Sequence, residues 1–183
     1  MREEDPNRAS LSADSVRRRA PILRSALAPA VIGFLYLGAS ITDVFQKTIV
    51  PVSLEFNAKL AAQLLRCLGE DATAIGDRIE ATRVVLRFGY GCDALDASVL
   101  YMLAVLASPA TLLLRLVGAF AGAILLLALN QVRTTSLYYT KLHFPDAFDL
   151  MHLDVWQVLY IFGAVCLWLL WVSWALRRGR ARL

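Results

Sequence analysis

Long apolar runs separated by mixed polar segments predict several helices that cross a membrane. The first run covers Pro21–Ile41, or Ser25–Phe45 if Arg24 stays outside the hydrocarbon, and the last covers Val155–Leu176. Each is close to the roughly 20 residues that a helix needs to cross a bilayer. Residues 1–20 are rich in Arg, Ser, Glu and Asp without apolar periodicity, and we expect a flexible cytoplasmic tail there.

The central apolar run, Ala97–Leu129, is too long for one membrane-crossing helix. As a single helix it would extend for about 50 Å, whereas the hydrocarbon core is about 30 Å thick. We therefore predict a break at Pro109, which lacks the backbone N–H of a continuing helix. The break gives a short span, Asp96–Ala107, and a longer one, Thr111–Leu129, with Arg115 reaching back to the cytoplasmic face.

Three mixed segments between the apolar runs predict structure outside the hydrocarbon. Pro51–Leu68 mixes apolar and charged positions in a pattern typical of an amphipathic helix lying along the outer membrane surface. A Gly76-Asp77 pair between β-branched stretches predicts a short β-hairpin within residues 74–88. Residues 130–154 carry many polar and aromatic side chains, and we expect a second outer segment there.

Composition and charge indicate a membrane protein with an even number of spans. Hydrophobic residues make up 58% of the 183-residue chain and charged residues 19%, which is more apolar than a typical soluble domain. Arginine clusters flank the first and last runs, and such clusters stay on the cytoplasmic side. Residues 21–183 are therefore predicted to form one all-α multi-pass membrane domain, with four transmembrane helices, the outer amphipathic helix and the hairpin. Because the arginines adjoin spans and form no folded basic face, we expect the bilayer, and no nucleic acid, among the partners.

Three cysteines and two histidines limit the chemistry that the chain can perform. Cys67, Cys92 and Cys166 form no Cys-x-x-Cys pair, and the chain has no His-Glu-x-x-His helix, so we expect neither a metal site nor a cofactor. Cys166 lies within an apolar helix and is most simply a packing residue. Cys67 is expected on the same side of the membrane as Cys92, so a Cys67–Cys92 disulfide is an alternative.

Cys92 lies where a polar loop meets an apolar helix. Gly89 and Gly91 permit a sharp turn before that helix. Asp93 and Asp96 are acidic residues of the kind that favour a helix N-terminus. A thiol at the positive end of a helix dipole is a candidate nucleophile, because that setting favours the thiolate. The alternative is an inert cysteine that packs at the loop–helix junction.

Topology brings two further candidate residues to the membrane depth of Cys92. With four spans and cytoplasmic termini, Cys92 enters the second span, Arg133 leaves the third and His152 enters the fourth, all on the outer side. Histidine can shuttle protons to and from a thiol, and arginine can hydrogen-bond the oxyanion that forms when a thiol attacks a carbonyl. Asn130, one turn before Arg133, could orient it or add a donor. Alternatively, Arg133 anchors its helix at the lipid headgroups, and His152, like His143, is a solvated loop residue.

Three motifs, in their order and spacing, resemble the exosortase/archaeosortase family. They are Cys92 at the head of a membrane helix, Asn130-Gln131-Val132-Arg133 at the end of the next, and Met151-His152-Leu153-Asp154-Val155-Trp156-Gln157 opening the last. The short chain, the four predicted spans and the His-x-x-Val-Trp-Gln stretch most resemble the small H-type exosortases. The similarity covers residues 25–176.

The resemblance implies an intramembrane cysteine transpeptidase of a bacterial inner membrane, with both termini cytoplasmic and the site on the periplasmic side. Its substrates would be exported proteins with a C-terminal sorting tail, which consists of a short motif, a hydrophobic helix and an Arg-rich end. The implied motif is Ile-Pro-Thr-Leu-x-x-Trp-Gly. By match, Cys92 is the nucleophile, Arg133 the transition-state stabiliser and His152, rather than His143, the acid/base. An amine acceptor or water would release the acyl-enzyme.

One feature departs from the family pattern, and two other functions stay open. The family often has a small polar residue and then glycine after the cysteine, whereas Asp93 and Ala94 follow here, and a carboxylate at 93 disfavours a neighbouring thiolate. A non-enzymatic scaffold or transporter subunit would use Arg133 in structural ion pairs. A thiol oxidoreductase would need a cycling Cys67–Cys92 disulfide.

Overall fold

The computed structural model describes residues 27–89, 92 and 94–180. The predicted tail, the start of the first predicted span and Asp93 lie outside these residues. Within them, five α-helices and three β-strands follow one another: α1 Leu27–Ser40, α2 Val50–Cys67, β1 Ala72–Ile75, β2 Arg78–Ala81, β3 Val85–Arg87, α3 Leu95–Ala107, α4 Leu112–His143 and α5 Trp156–Arg180.

Two helical stretches of the described chain are long and apolar enough to cross a membrane. One is α4, and the other is Pro145–Arg178, in which a 3-10 turn (Pro145–Ala147) and a π-helical turn (Leu150–Val155) lead into α5. The count rises to three if α1 and the helical stretch Phe45–Cys67, which meet at a 79° bend, form one broken span. Since α3 has 13 residues, it is about 20 Å long and shorter than a hydrocarbon core of about 30 Å. The architecture is thus compatible with a membrane protein that has two or three crossing helices.

Large apolar side chains cover the outer faces of α1, α4 and α5. Phe34 on α1 is 78% exposed, Phe120 on α4 is 65% exposed and Leu170 on α5 is 67% exposed. Continuous apolar surface of this kind is unfavourable in water, whereas contact with lipid tails removes the penalty. The exposed faces therefore suit helices that contact lipid.

The predicted amphipathic helix is present as α2, and its apolar stripe packs on the small sheet. Leu54, Ala58 and Leu65 are buried on one face of α2. They share a core with Ile79 of β2 and Leu86 of β3. The spacing of three to four residues between buried positions is that of one helical face, so this packing follows directly from the sequence pattern.

The predicted β-hairpin is present, but it has a third strand. Gly76, with a φ of 57°, and Asp77 form the turn between β1 and β2, as the sequence predicts. Residues 82 and 83 form a bend that divides the predicted second arm into β2 and β3, and the antiparallel sheet has the order β1-β2-β3. The Arg87 Nε donates a 2.7 Å hydrogen bond to the Asp77 carboxylate, which lowers the pKa of Asp77. This pair ties β3 to the first turn.

The predicted break at Pro109 is confirmed, because it separates α3 from α4. Arg115, in the first turn of α4, donates hydrogen bonds of 3.1 Å to the Leu106 carbonyl and 2.7 Å to the Ala110 carbonyl. Basic side chains at a helix C-terminus satisfy carbonyls that have no partner within the helix. Arg115 therefore caps the end of α3 and holds the sharp turn between the two helices.

A second core holds α3, α4 and α5 together. Tyr101 of α3 is buried with Leu126 of α4 and Tyr160 of α5. Gly122 allows the Tyr101 ring to lie directly against α4, since a Cβ at this position would overlap the ring. The Tyr160 hydroxyl donates a 3.1 Å hydrogen bond to the Leu126 carbonyl. Close packing around a small residue is typical of helices that associate within a membrane.

The first half of the predicted outer segment 130–154 is helical, because α4 continues without a break to His143. No proline or glycine interrupts residues 123–143, and Thr134, Leu137 and Tyr138 are buried on one face of the helix. Tyr138 also donates a 3.0 Å hydrogen bond to Glu70 in the loop before β1. Packing on α2 and the sheet, rather than on lipid, therefore stabilises this polar end of α4 and makes it one wall of the site described next.

Candidate functional site

The structure brings Cys92 and His152 together. The Cys92 Sγ lies 3.3 Å from the His152 Nε2, and both side chains are partly exposed. Cys92 lies just before α3, and His152 lies in the π-helical turn before α5. The His152 ring also stacks on Phe148, with 5.5 Å between ring centroids. His143 is exposed at the end of α4, where it stacks on Tyr139, so His152 is the histidine beside the thiol.

These two side chains line a cleft of about 160 Å³ between β3, α4 and the turn before α5. Residues 86–88 form its strand side. Arg133, Leu137 and Lys141 line it from the polar end of α4, and Phe148 closes it near His152. The cleft combines apolar walls with a thiol, an imidazole and several cations.

Arg133 opens onto this cleft although the residue is only 5% exposed. Its guanidinium makes no hydrogen bond or ion pair with another described residue. A guanidinium has five N–H donors, and burying such a charge without partners is costly. Arg133 is therefore placed to donate hydrogen bonds to an anion or an oxyanion that enters the cleft.

The surroundings of His152 favour its neutral form. His152 lies before the apolar part of the helical stretch that contains α5. Burial of the His152 ring lowers the pKa of the imidazole below its ordinary value. The charge of Arg133 lowers the pKa of His152 further, whereas the Asp149 carboxylate opposes the shift. The lowered pKa favours the neutral imidazole, and a neutral Nε2 that faces the Cys92 thiol can accept its proton.

Asn130 holds the backbone of Cys92. Its side chain is fully buried, and its Nδ2 donates 3.0 Å hydrogen bonds to the Cys92 carbonyl and to the Asn57 Oδ1. These bonds use both hydrogens of the Asn130 amide, so Asn130 fixes the loop that carries the thiol. The roles that the sequence suggested for Asn130, orienting Arg133 or donating to an oxyanion, stay predictions.

Asn57 of α2 is a site residue that the sequence analysis missed. It is 2% exposed, and its Oδ1 accepts 3.0 Å hydrogen bonds from both Asn130 and Gln131. Its own Nδ2 donates to the Ser53 carbonyl at 3.0 Å. The available signal was its position within the apolar stripe of α2, between Leu54 and Ala58, where a polar residue needs a buried partner.

The backbone after Cys92 has the geometry of a glycine position. Ala94 has a φ of 62°, a left-handed conformation that costs a non-glycine residue about 1–2 kcal/mol. Its carbonyl accepts the first hydrogen bond of α3, from the Ser98 N–H at 2.9 Å.

Asp93 lies outside the described residues. Asp96, predicted to favour the helix N-terminus, accepts a 2.5 Å hydrogen bond from Tyr36 of α1 and so joins α1 to the start of α3.

The thiols of Cys67, Cys92 and Cys166 are free, so the alternative Cys67–Cys92 disulfide is not formed. In the described part of the chain, no group of three or more His, Cys, Asp or Glu side chains is arranged to hold a metal ion.

Comparison with protein-family models, with curated proteins and with solved structures finds no match to this chain.

Proposed function

We propose that this protein is a membrane-embedded cysteine peptidase or transpeptidase of the exosortase type, which cleaves C-terminal sorting tails of exported proteins. The observation that carries the proposal is the 3.3 Å contact between the Cys92 thiol and the His152 imidazole, with the buried guanidinium of Arg133 in the same cleft. A nucleophile, a base and an oxyanion donor are the three groups that acyl transfer needs. They come from three distant parts of the chain, which makes a purely structural cysteine a poor explanation.

The proposed reaction begins when the His152 Nε2 takes the proton of the Cys92 thiol. The thiolate then attacks the carbonyl carbon of the scissile peptide bond, and Arg133 donates hydrogen bonds to the resulting oxyanion. As the C–N bond breaks, His152 returns its proton to the leaving amine, and a thioester with Cys92 remains. The amine of an acceptor, or water, attacks this thioester and regenerates the thiol.

The tail helix of the substrate is proposed to lie between α3 and α5. A groove of about 280 Å³ separates these helices, and its walls are apolar. Ala97, Ala104 and Ala164 line it, and small side chains allow a further helix to approach closely. The groove starts within two turns of Cys92, so a helix in it would deliver the preceding motif to the thiol.

The proposed topology places this site on the periplasmic side of a bacterial inner membrane. It has four spans, α1, α3, α4 and α5, and both termini are cytoplasmic. A locally thin bilayer, or a site below the outer surface, accommodates the short α3. The basic residues Arg177 and Arg178, which follow the apolar part of α5, support a cytoplasmic C-terminus.

The test is co-expression with a tagged protein that carries a sorting tail. We expect wild type to shorten the precursor on a gel, and we expect Cys92→Ser and His152→Ala to leave it uncut. Cys166→Ser is the matched control, because this free thiol lies within α5 and away from the cleft. Processing by Cys92→Ser at the wild-type rate would exclude Cys92 from the chemistry and favour a scaffold.

A further inference from the structure

The strand β3 forms an open edge of the small sheet. The order β1-β2-β3 gives β3 a partner on one side only. The Phe88 N–H donates to the Asp77 carbonyl, and the Val84 carbonyl accepts from the Ala81 N–H. The peptide groups of Val84 and Phe88 therefore point towards β2, and so do those of Leu86, because bonded residues alternate along a strand. The peptide groups of Val85 and Arg87 lie between these positions and point away from the sheet.

This edge faces the cleft that contains Cys92 and His152. Residues 86–88 line the cleft, and Lys141 reaches across it to donate a 3.1 Å hydrogen bond to the Val85 carbonyl. Among the described residues, no backbone group pairs with the outward N–H and carbonyl of Arg87. Unpaired strand edges of this kind accept an extended peptide as an additional strand.

The lining of the cleft indicates the chemistry of such a peptide. Arg87, Arg133 and Lys141 all contribute to it, and none of the described lining residues is acidic. A peptide with lysine or arginine at this point would meet like charges. Leu137 and Phe148 offer apolar contacts to side chains that project towards α4. The cleft therefore suits an extended peptide that is apolar or acidic, but not basic.

We propose that the substrate segment around the scissile bond pairs with β3 as a fourth strand, with its main chain bonded to the outward groups of Arg87. This inference rests on the proposed function, because it assigns the peptide substrate of the same site a binding mode. Main-chain pairing would hold the segment extended beside the thiol, and alternate side chains would face the apolar wall of the cleft.

The first test uses a peptide that labels Cys92 covalently. The probe is acetyl-Val-Ala-Thr-Leu chloromethyl ketone, whose methylene carbon bonds to Sγ as chloride leaves, and labelling of Cys92 is followed by mass spectrometry. The labelling rate of Cys92 by each peptide is divided by its labelling rate by chloroacetamide, which has no peptide chain and so reports the reactivity of the thiol alone. Methylation of one peptide nitrogen at a time should slow labelling about tenfold at alternate positions only. Equal effects at all positions, or no effect at any, would overturn the strand pairing.

The second test removes the outward amide from the protein. Arg87→Pro deletes this N–H without deleting a backbone bond to β2, but it also removes the side-chain bond to Asp77. Arg87→Ala removes the same side-chain bond and keeps the N–H, so the proline variant should label about tenfold more slowly than the alanine variant. Ala74→Pro is the control, because the Ala74 amide points outward from β1 on the opposite edge. Equal labelling of Arg87→Pro and Arg87→Ala would refute the proposal. Labelling does not require cleavage, so a failure of the proposed protease activity would be recognised separately, by processing in Cys92→Ser.

Discussion

Replacing Asn57 with alanine should both destabilise the protein and disturb Cys92. In the wild type, the Asn57 Oδ1 accepts two hydrogen bonds of 3.0 Å, a buried one from Asn130 and a partly buried one from Gln131. Alanine would leave one N–H of each side chain without this acceptor. An unsatisfied buried donor costs about 1–3 kcal/mol, so we expect the free energy of unfolding to fall by about 2–6 kcal/mol.

The same substitution should slow the alkylation of Cys92. Asn130 bonds both Asn57 and the Cys92 carbonyl, so an Asn130 side chain released on one side no longer fixes the loop that holds the thiol against His152. We expect a decrease of about threefold to tenfold in the rate constant at pH 7, which corresponds to about 0.6–1.4 kcal/mol. Iodoacetamide and mass spectrometry would measure it, with Cys67 as the internal reference.

Leu54→Ala is the matched control for Asn57→Ala. Leu54 lies one turn earlier on the same buried face of α2, and removing its side chain should cost about 2–5 kcal/mol through the cavity that it leaves. It packs in the core of α2 and the sheet and does not line the cleft. If Leu54→Ala and Asn57→Ala slow the alkylation of Cys92 equally, the effect is a loss of stability and the positioning role of Asn57 is refuted.

Two further predictions concern the electrostatics of the cleft and the packing of the helices. Arg133→Gln removes a charge that lowers the pKa of His152, so this pKa should rise. NMR titration can follow it, because the protein has only two histidines. An unchanged titration midpoint of His152 would show that Arg133 does not act on the ring. Gly122→Ala should lower stability by about 1–3 kcal/mol because the new Cβ overlaps Tyr101, whereas Gly38→Ala, with no atom within 4 Å of the added Cβ, should not. Thermal unfolding in detergent would compare the two, and equal melting temperatures would contradict the packing of α3 on α4.

Local signals in the sequence predicted the breaks between elements better than their ends. Pro109 and the Gly76-Asp77 pair act through backbone constraints that hold in any surroundings, and both produced the expected turn. The end of α4 depends on what its polar residues contact. Hydropathy separates residues 130–143 from the apolar run but does not decide whether they are helical. Thr134 and Tyr138 are buried against protein there, and the helix continues to His143.

The contact between Cys92 and His152 was predictable, whereas the network behind it was not. The predicted topology places the thiol and the histidine at the outer ends of two spans, and the structure has them 3.3 Å apart. Asn57 reaches Asn130 only because α2 folds back beside α4, a pairing that no local pattern encodes. A buried polar residue within an apolar stripe shows that a partner exists, but not which one.

The burial of Arg133 separates the catalytic interpretation of this residue from its simplest alternative. An arginine that anchors a helix at the headgroups extends its charge into water or towards lipid phosphates and stays accessible. Arg133 is instead 95% buried, faces a cleft and lacks an acceptor among the described residues. A structural role in ion pairs would require a carboxylate beside it, and none of the described lining residues is acidic. In the proposed reaction, a buried guanidinium that opens onto the cleft would donate to an oxyanion that exists only while Cys92 attacks a carbonyl.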